Sequence, residues 1–200
     1  MTEPDRTAER AATDRDDDVA AAMAELNRRA FLPPEQRARA GEDRPLPIGH
    51  GQTNSQPSTV AAMLRLLQVP IGARALDLGA GSGWTTALLA RLVRPAGSVL
   101  GLELEPELAA QGARNLAAWP LPWASLEVAT RGALGRPVDG GYDRILVSAT
   151  AQSLPEELVA QLTPEGRMVL PIRTTLWLVQ RHGDELERSP QGSYLFVPLR

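Results

Sequence analysis

Asp77 and Glu103 are the two acids placed where this chain could do chemistry, and a run of glycines lies between them. Arg74 to Ala90 reads Arg-Ala-Leu-Asp-Leu-Gly-Ala-Gly-Ser-Gly-Trp-Thr-Thr-Ala-Leu-Leu-Ala. An apolar run carrying Asp77 gives way to Gly79, Gly81 and Gly83 and then to a helical pattern, which predicts strand, tight turn and helix. A helix N-terminus behind such a turn offers N–H groups to a ligand. A dinucleotide fold needs G-x-G-x-x-G, but the third glycine would fall on Trp84 or Thr86, and no G-K-[ST] of a phosphate loop is present. Asp77 at the strand end disfavours pyrophosphate and suits an ammonium group. Glu103 ends the next apolar run about twenty residues beyond the turn, where a carboxylate accepts both ribose hydroxyls. Alternatively, Glu103 is a solvated strand end beside Glu105 and Glu107. A nucleoside that carries an amino acid and no phosphate matches the pair: S-adenosylmethionine.

The elements that must position these acids follow in alternation. Val19, Met23, Leu26 and Ala30 mark one face of a helix from Asp18, capped by Asp17 or Asp18 and stopped by Pro33-Pro34. Pro45 to Pro57 is too rich in Pro and Gly for a helix or a central strand, so a loop is expected there. It carries Gln52, Thr53, Asn54 and Ser55 just ahead of a helix with Val60, Met63, Leu64 and Leu67 on one face and Ser58 or Thr59 near its cap. Further strands are expected over 98–103, 126–129, 142–148 and 167–172, and helices over 106–116 and 155–162. An antiparallel pair, 174–180 with 193–197, would flank a turn at Gly183-Asp184. The fold class is α/β, a doubly wound, mainly parallel sheet with an antiparallel C-terminal strand pair and ligands at the carboxyl ends of its strands.

Composition narrows the classes. The 200 residues, 43% hydrophobic, suggest one domain over 17–200 with an N-terminal cap of 17–57, after a charged, disordered tail of 1–16. There is no cysteine, hence no disulfide and no thiolate chemistry, and His50 and His182 are the only imidazoles, so no metal centre is expected. A net charge of -3 gives no electrostatic case for nucleic acid, and no stretch reads as a signal or membrane segment. A cytoplasmic monomer is expected. His50 could touch a substrate from its loop, or simply be structural.

Pro45-Leu46-Pro47-Ile48-Gly49-His50-Gly51-Gln52-Thr53-Asn54-Ser55-Gln56-Pro57, followed by the glycine turn, resembles the protein-L-isoaspartate O-methyltransferase family, whose pattern is P-L-P-I-G-x-G-Q-T-I-S-x-P. Only Asn54 departs, standing where the family has Ile. Phe31-Leu32-Pro33, Tyr142-Asp143 with Val147-Ser148-Ala149, Gly166-Arg167-Met168-Val169 with Pro171, and Val197-Pro198-Leu199 are similar to further family segments. The resemblance implies methyl transfer from S-adenosyl-L-methionine to the free carboxylate of an isoaspartyl residue in a damaged protein or peptide. It implies Ser55 as the catalytic residue, and Gln52, Thr53, Ser55, Asp77, Gly79, Ala80, Gly81, Glu103, Leu104, Arg131 and Gly132 around the cofactor. Pro47, Ile48, Gly49 and Val197 would form the wall for the peptide. Two further departures stand out. Arg131 falls where the family carries an Asp that accepts from adenine; guanidinium only donates, so either it would stack on the adenine instead or cofactor affinity would be lower. Gly41 stands where Tyr is frequent. Alternative readings are a carboxyl methyltransferase dedicated to one Asp or isoAsp peptide, and a non-catalytic cofactor-binding relative.

Overall fold

The computed structural model describes residues 18–199; the expected charged tail lies outside them. Helix α1 (18–25) buries Val19 and Ala22, and ion pairs Glu25–Arg91 and Asp18–Arg94 tie it to the neighbouring helix. It ends before Ala30, which is exposed. The cause is Asn27, whose side chain accepts the Arg29 N–H at 2.9 Å and caps a separate 3-10 turn, Arg28–Phe31. That turn places Arg28 inside the protein.

The Pro- and Gly-rich stretch is a two-stranded ribbon, not a loop. Strand β1 (Leu46–Gly49) pairs antiparallel with β2 (Gln52–Asn54) across a tip where Gly49, His50 and Gly51 all have positive φ. Alternation along β1 buries Leu46 and Ile48 and leaves Pro47 and Gly49 exposed. Helix α2 (Pro57–Leu67) follows with Pro57 in its first turn. Its cap comes from a distance: Asp43 accepts the Ser58 N–H at 2.9 Å and the Gln56 side-chain amide at 3.0 Å, where a cap from Ser58 or Thr59 was expected.

Seven strands form the main sheet: β3 (Arg74–Leu78), β4 (Ser98–Glu103), β5 (Ala124–Val128), β6 (Tyr142–Val147), β7 (Leu162–Ile172), β8 (Thr175–His182) and β9 (Glu185–Ser193). Their order is β5-β4-β3-β6-β7-β8-β9. The first five are mutually parallel and the last two antiparallel. Helices α3 (Trp84–Val93), α4 (Pro106–Ala117) and the short α5 (Glu156–Val159) are interleaved with the strands. After the exposed Arg74 at its start, strand β3 is buried on both faces and apolar except for Asp77, as suits a central parallel strand. Between β4 and β6 the chain order reverses about β3, which makes the carboxyl ends of these strands the binding edge.

The C-terminal pair has a different second member from the expected one. Strand β9 spans 185–193, paired with β8 around Gly183 in the left-handed region at φ 63°. Residues 194–199 leave the sheet and return to the binding edge, where Thr150 and Val197–Leu199 exchange main-chain hydrogen bonds. Apolar alternation in Leu195 and Val197 imitates a strand, but Val197 lines the cavity at the binding edge and Leu195 stays exposed beside it.

Candidate active site

The turn from Gly79 to Gly83 sits at the end of β3 and consumes its own donors. Gly79 and Ala80 N–H groups donate to the Leu102 carbonyl at 2.9 and 3.1 Å, and Gly83 N–H donates to the Ala80 carbonyl at 2.9 Å. Gly81 N–H donates to Glu103 Oε2 at 2.9 Å. The cradle of free N–H groups that a phosphate needs is therefore missing at these positions. Gly83 takes φ 88°, and a Cβ there would lie 2.8 Å from the Gly112 carbonyl oxygen; a Cβ on Gly112 would lie 2.7 Å from the Gly81 oxygen. Turn and α4 touch backbone to backbone. No reading of the turn alone finds Gly112, yet glycine inside a helix, at a cost of roughly 0.5–1 kcal/mol, is a signal of such close approach.

Both acids face this turn, with different surroundings. Glu103 lies on the cavity wall, its Oε1 accepting the Glu105 N–H at 3.0 Å and its Oε2 the Gly81 N–H. Each carboxylate oxygen keeps a further lone pair for a ligand hydroxyl. Asp77 is wholly buried and does not reach the wall. Its Oδ2 accepts the hydroxyls of Thr85 and Thr86, each at 2.7 Å, while Oδ1 has no partner among the described residues. Burial pushes the Asp77 carboxyl up to about 6, opposed by the two threonine hydroxyls. At neutral pH the floor under the turn is thus a negative site with an unsatisfied acceptor.

The cavity between the ribbon and the strand ends is lined by Ile48, Gln52, Thr53, Asn54 and Ser55 from the ribbon side. Leu78 to Ser82, Leu102 to Leu104, Ser148-Ala149 and Val197 to Leu199 line it from the sheet side. Glu103 is the single ionisable group among these lining residues. No histidine is there: His50 Nε2 stands 3.4 Å from Glu107 Oε2 on α4, at the ribbon tip. Thr53, Ser55 and Ser148 add hydroxyls where the cavity borders a neighbouring groove, and Ala129, Thr130, Ala133 and Leu134 complete the lining.

A sequence profile described as Protein-L-isoaspartate(D-aspartate) O-methyltransferase matches residues 7–200. The chain belongs to this family. A protein-L-isoaspartate O-methyltransferase of Aeropyrum pernix is 46% identical over 186 residues, 90% of this chain and 72% of that protein. One from Anaeromyxobacter dehalogenans is 48% identical over 192 residues, 92% of this chain and 90% of the relative. Among solved structures, a protein-L-isoaspartate O-methyltransferase of Plasmodium falciparum in complex with S-adenosyl-L-homocysteine superposes with a TM-score of 0.79. It is 26% identical, with 92% of this chain and 90% of that one covered.

The residues present fit the family's cofactor, S-adenosyl-L-methionine. Glu103 offers acceptors to ligand hydroxyls, Asp77 puts negative charge beneath the turn, the phosphate cradle is missing at the turn, and Ala129, Ala133 and Leu134 add apolar lining. The structure brings Ile48, Gln52, Thr53, Ser55, Gly79, Ala80, Gly81, Glu103, Leu104 and Val197 together around one cavity. Five expected residues stand elsewhere. Pro47 and Gly49 point outward from β1, and Asp77 lies beneath the turn. Arg131 and Gly132 are exposed and line no part of this cavity. They occupy the corner of a turn closed by the Ala133 N–H to Thr130 carbonyl bond at 3.2 Å, and its first and last residues, Thr130 and Ala133, line the cavity while staying exposed. Ser148 and Ala149 are additions; the rule that ligands gather at the carboxyl ends around the reversal point reaches them.

Proposed function

We propose that this chain methyl-esterifies the free carboxylate of L-isoaspartyl residues in damaged proteins or peptides. The observation that carries the reading is one cavity with a diol-accepting carboxylate, Glu103, and the Thr53, Ser55 and Ser148 hydroxyls at its border with the neighbouring groove, with no general base between them. When bound, S-adenosyl-L-methionine supplies a methyl carbon on a positively charged sulfur. Glu103 would hold the ribose hydroxyls, and the ionised Asp77 beneath the turn stabilises positive charge in the dry floor. Leu104 and Ile48 exclude water, with Gly79, Ala80 and Gly81 giving close backbone contact.

A carboxyl group with an ordinary pKa near 4 arrives ionised, so no residue has to remove a proton. Ser55 and Thr53 would donate to that carboxylate and hold one of its oxygens toward the methyl group that the cofactor would supply. Orientation of this kind supplies about 7–11 kcal/mol of the barrier reduction. The methyl ester is a better electrophile than the carboxylate, so the next backbone nitrogen closes a succinimide and expels methanol; water then reopens the ring, in part to normal aspartate.

The same reading makes one domain of 17–200 with 17–57 as its cap, acting on peptide as a cytoplasmic monomer, without nucleic acid or membrane. No helix among the described residues is long and apolar enough to cross a membrane. Transfer of a labelled methyl group to an isoaspartyl peptide, followed by mild base, tests the chemistry. The label is expected to leave as methanol. A base-stable label would mean that nitrogen or carbon is the acceptor, and would overturn the reading.

A further inference from the structure

A second groove opens beside the cofactor cavity and shares Thr53, Ser55, Ser148 and Val197 with it. A side-chain carboxylate that reaches the cavity through these four residues brings its own peptide chain into this groove. All the described residues that line it are uncharged. Hydroxyls at the start of α2 and in the β7–β8 turn make one side, and the Tyr194-Leu195-Phe196 segment makes the other.

Two features of that segment point to a peptide as occupant. The Tyr194 and Phe196 rings pack 6.4 Å apart and tilted, yet Leu195 between them is 91% exposed, beside a binding mouth. Tyr194 N–H donates to the Thr174 carbonyl and Thr150 N–H donates to the Val197 carbonyl, both at 2.8 Å, so the segment is held at each end. Leu195 and Phe196 themselves make no main-chain hydrogen bond with other described residues. Pre-positioned free peptide groups next to an apolar side chain are what a substrate main chain needs for pairing and for one neighbouring side chain to be buried.

We infer that this groove holds the chain flanking the isoaspartyl residue, and that Leu195, with Tyr194 and Phe196, selects substrates whose adjacent residue is aliphatic or aromatic over those carrying Lys or Glu there. A charged neighbour would lose hydration against this uncharged lining, behind which Asp43 is already engaged by Ser58 and Gln56, whereas an apolar one covers Leu195. The inference rests on the isoaspartyl reading above and adds to it a preference in flanking sequence.

The test is a series of unstructured isoaspartyl peptides, identical except for Leu, Phe, Lys or Glu on either side of the isoaspartyl residue, given to wild type and to Leu195→Glu. Apolar-flanked peptides are expected to exceed charged ones by roughly tenfold in kcat/KM, through KM. Leu195→Glu, at an exposed position that does not line the cofactor cavity, is expected to fold and bind cofactor normally while erasing that preference and improving the Lys-flanked peptide. Apolar and charged peptides turned over within about twofold of each other, or a Leu195→Glu enzyme with the wild-type ratio, would overturn the inference while leaving the proposed function standing. No methylation of any peptide in the series would overturn both.

Discussion

Arg28 Nε donates to Asn54 Oδ1 at 2.7 Å, inside the protein, and the Asn54 amide passes the link on by donating to Ser82 Oγ at 3.1 Å. Arg28 also donates to the main-chain carbonyls of Glu42, Arg44 and Asn54 and lies 5.8 Å from the centre of the Trp84 ring. Burial pulls its guanidinium down to about 10, which leaves it charged at neutral pH. The N-terminal cap, the ribbon and the glycine turn therefore meet at one buried cation, and Asn54 sits between Thr53 and Ser55, which face the methyl-transfer site.

Asn54→Ile restores the family's usual residue at this position but removes an acceptor from a buried guanidinium. We expect a loss of about 1–3 kcal/mol in urea unfolding, the cost of leaving a buried donor unpaired. We also expect a raised KM for peptide with cofactor affinity retained. A variant as stable as wild type would show that Arg28 finds other partners.

Glu103→Ala should weaken cofactor binding by about 1.5–3 kcal/mol, the scale of hydrogen bonds to a charged group, or roughly ten- to a hundredfold in Kd. The carboxylate also accepts the Gly81 and Glu105 N–H groups, so the turn itself loses an anchor. Calorimetric titration with S-adenosyl-L-homocysteine checks this.

Asp77 predicts a pH dependence of opposite sign to that of a salt-bridged carboxylate. Its folded pKa of about 6 lies above the ordinary 3.8, so between these values the folded state holds a proton that the unfolded chain releases. The contribution of Asp77 to stability is greatest below pH 4 and is lost as pH rises through 6, by about 3 kcal/mol at 1.36 kcal/mol per pKa unit. Unfolding free energies of wild type and Asp77→Asn, subtracted at each pH from 4 to 8, isolate this term. A flat difference would contradict it.

Gly112→Ala puts a methyl group 2.7 Å from the Gly81 carbonyl oxygen and from Leu126 Cδ1. Alanine ordinarily favours a helix over glycine by about 0.8–1.0 kcal/mol. Here we expect net destabilisation in thermal unfolding, together with weaker cofactor binding, because the turn must move away from α4.

Much of this architecture is legible in the local chemistry of the sequence. The β3 turn, Glu103 and the order of strands and helices followed from residue types and spacing, since a parallel sheet with a reversal point leaves few arrangements. What stayed hidden depends on contacts distant in sequence. Asp43 caps α2 from fifteen residues away, and Gly112 matters only because the Gly81–Gly83 backbone arrives against it. Leu195 and Val197 alternate like a strand, yet β9 ends at Ser193, which leaves Val197 to the cavity and Leu195 to the groove beside it. Arg131 matches the family's adenine-contacting position in sequence, but it sits at the corner of a tight turn whose flanking residues, Thr130 and Ala133, line the cavity instead.

The central claim is tested most directly by measuring methyl transfer to two peptides of one sequence, one with an isoaspartyl linkage and one with normal aspartate. The arrangement of Ser55, Thr53 and Ser148 around an uncharged groove predicts a base-labile ester on the isoaspartyl peptide, with kcat/KM for the aspartyl peptide lower by roughly a hundredfold or more. Equal rates on both peptides, or no transfer to the isoaspartyl peptide while cofactor is shown to be bound, would contradict it.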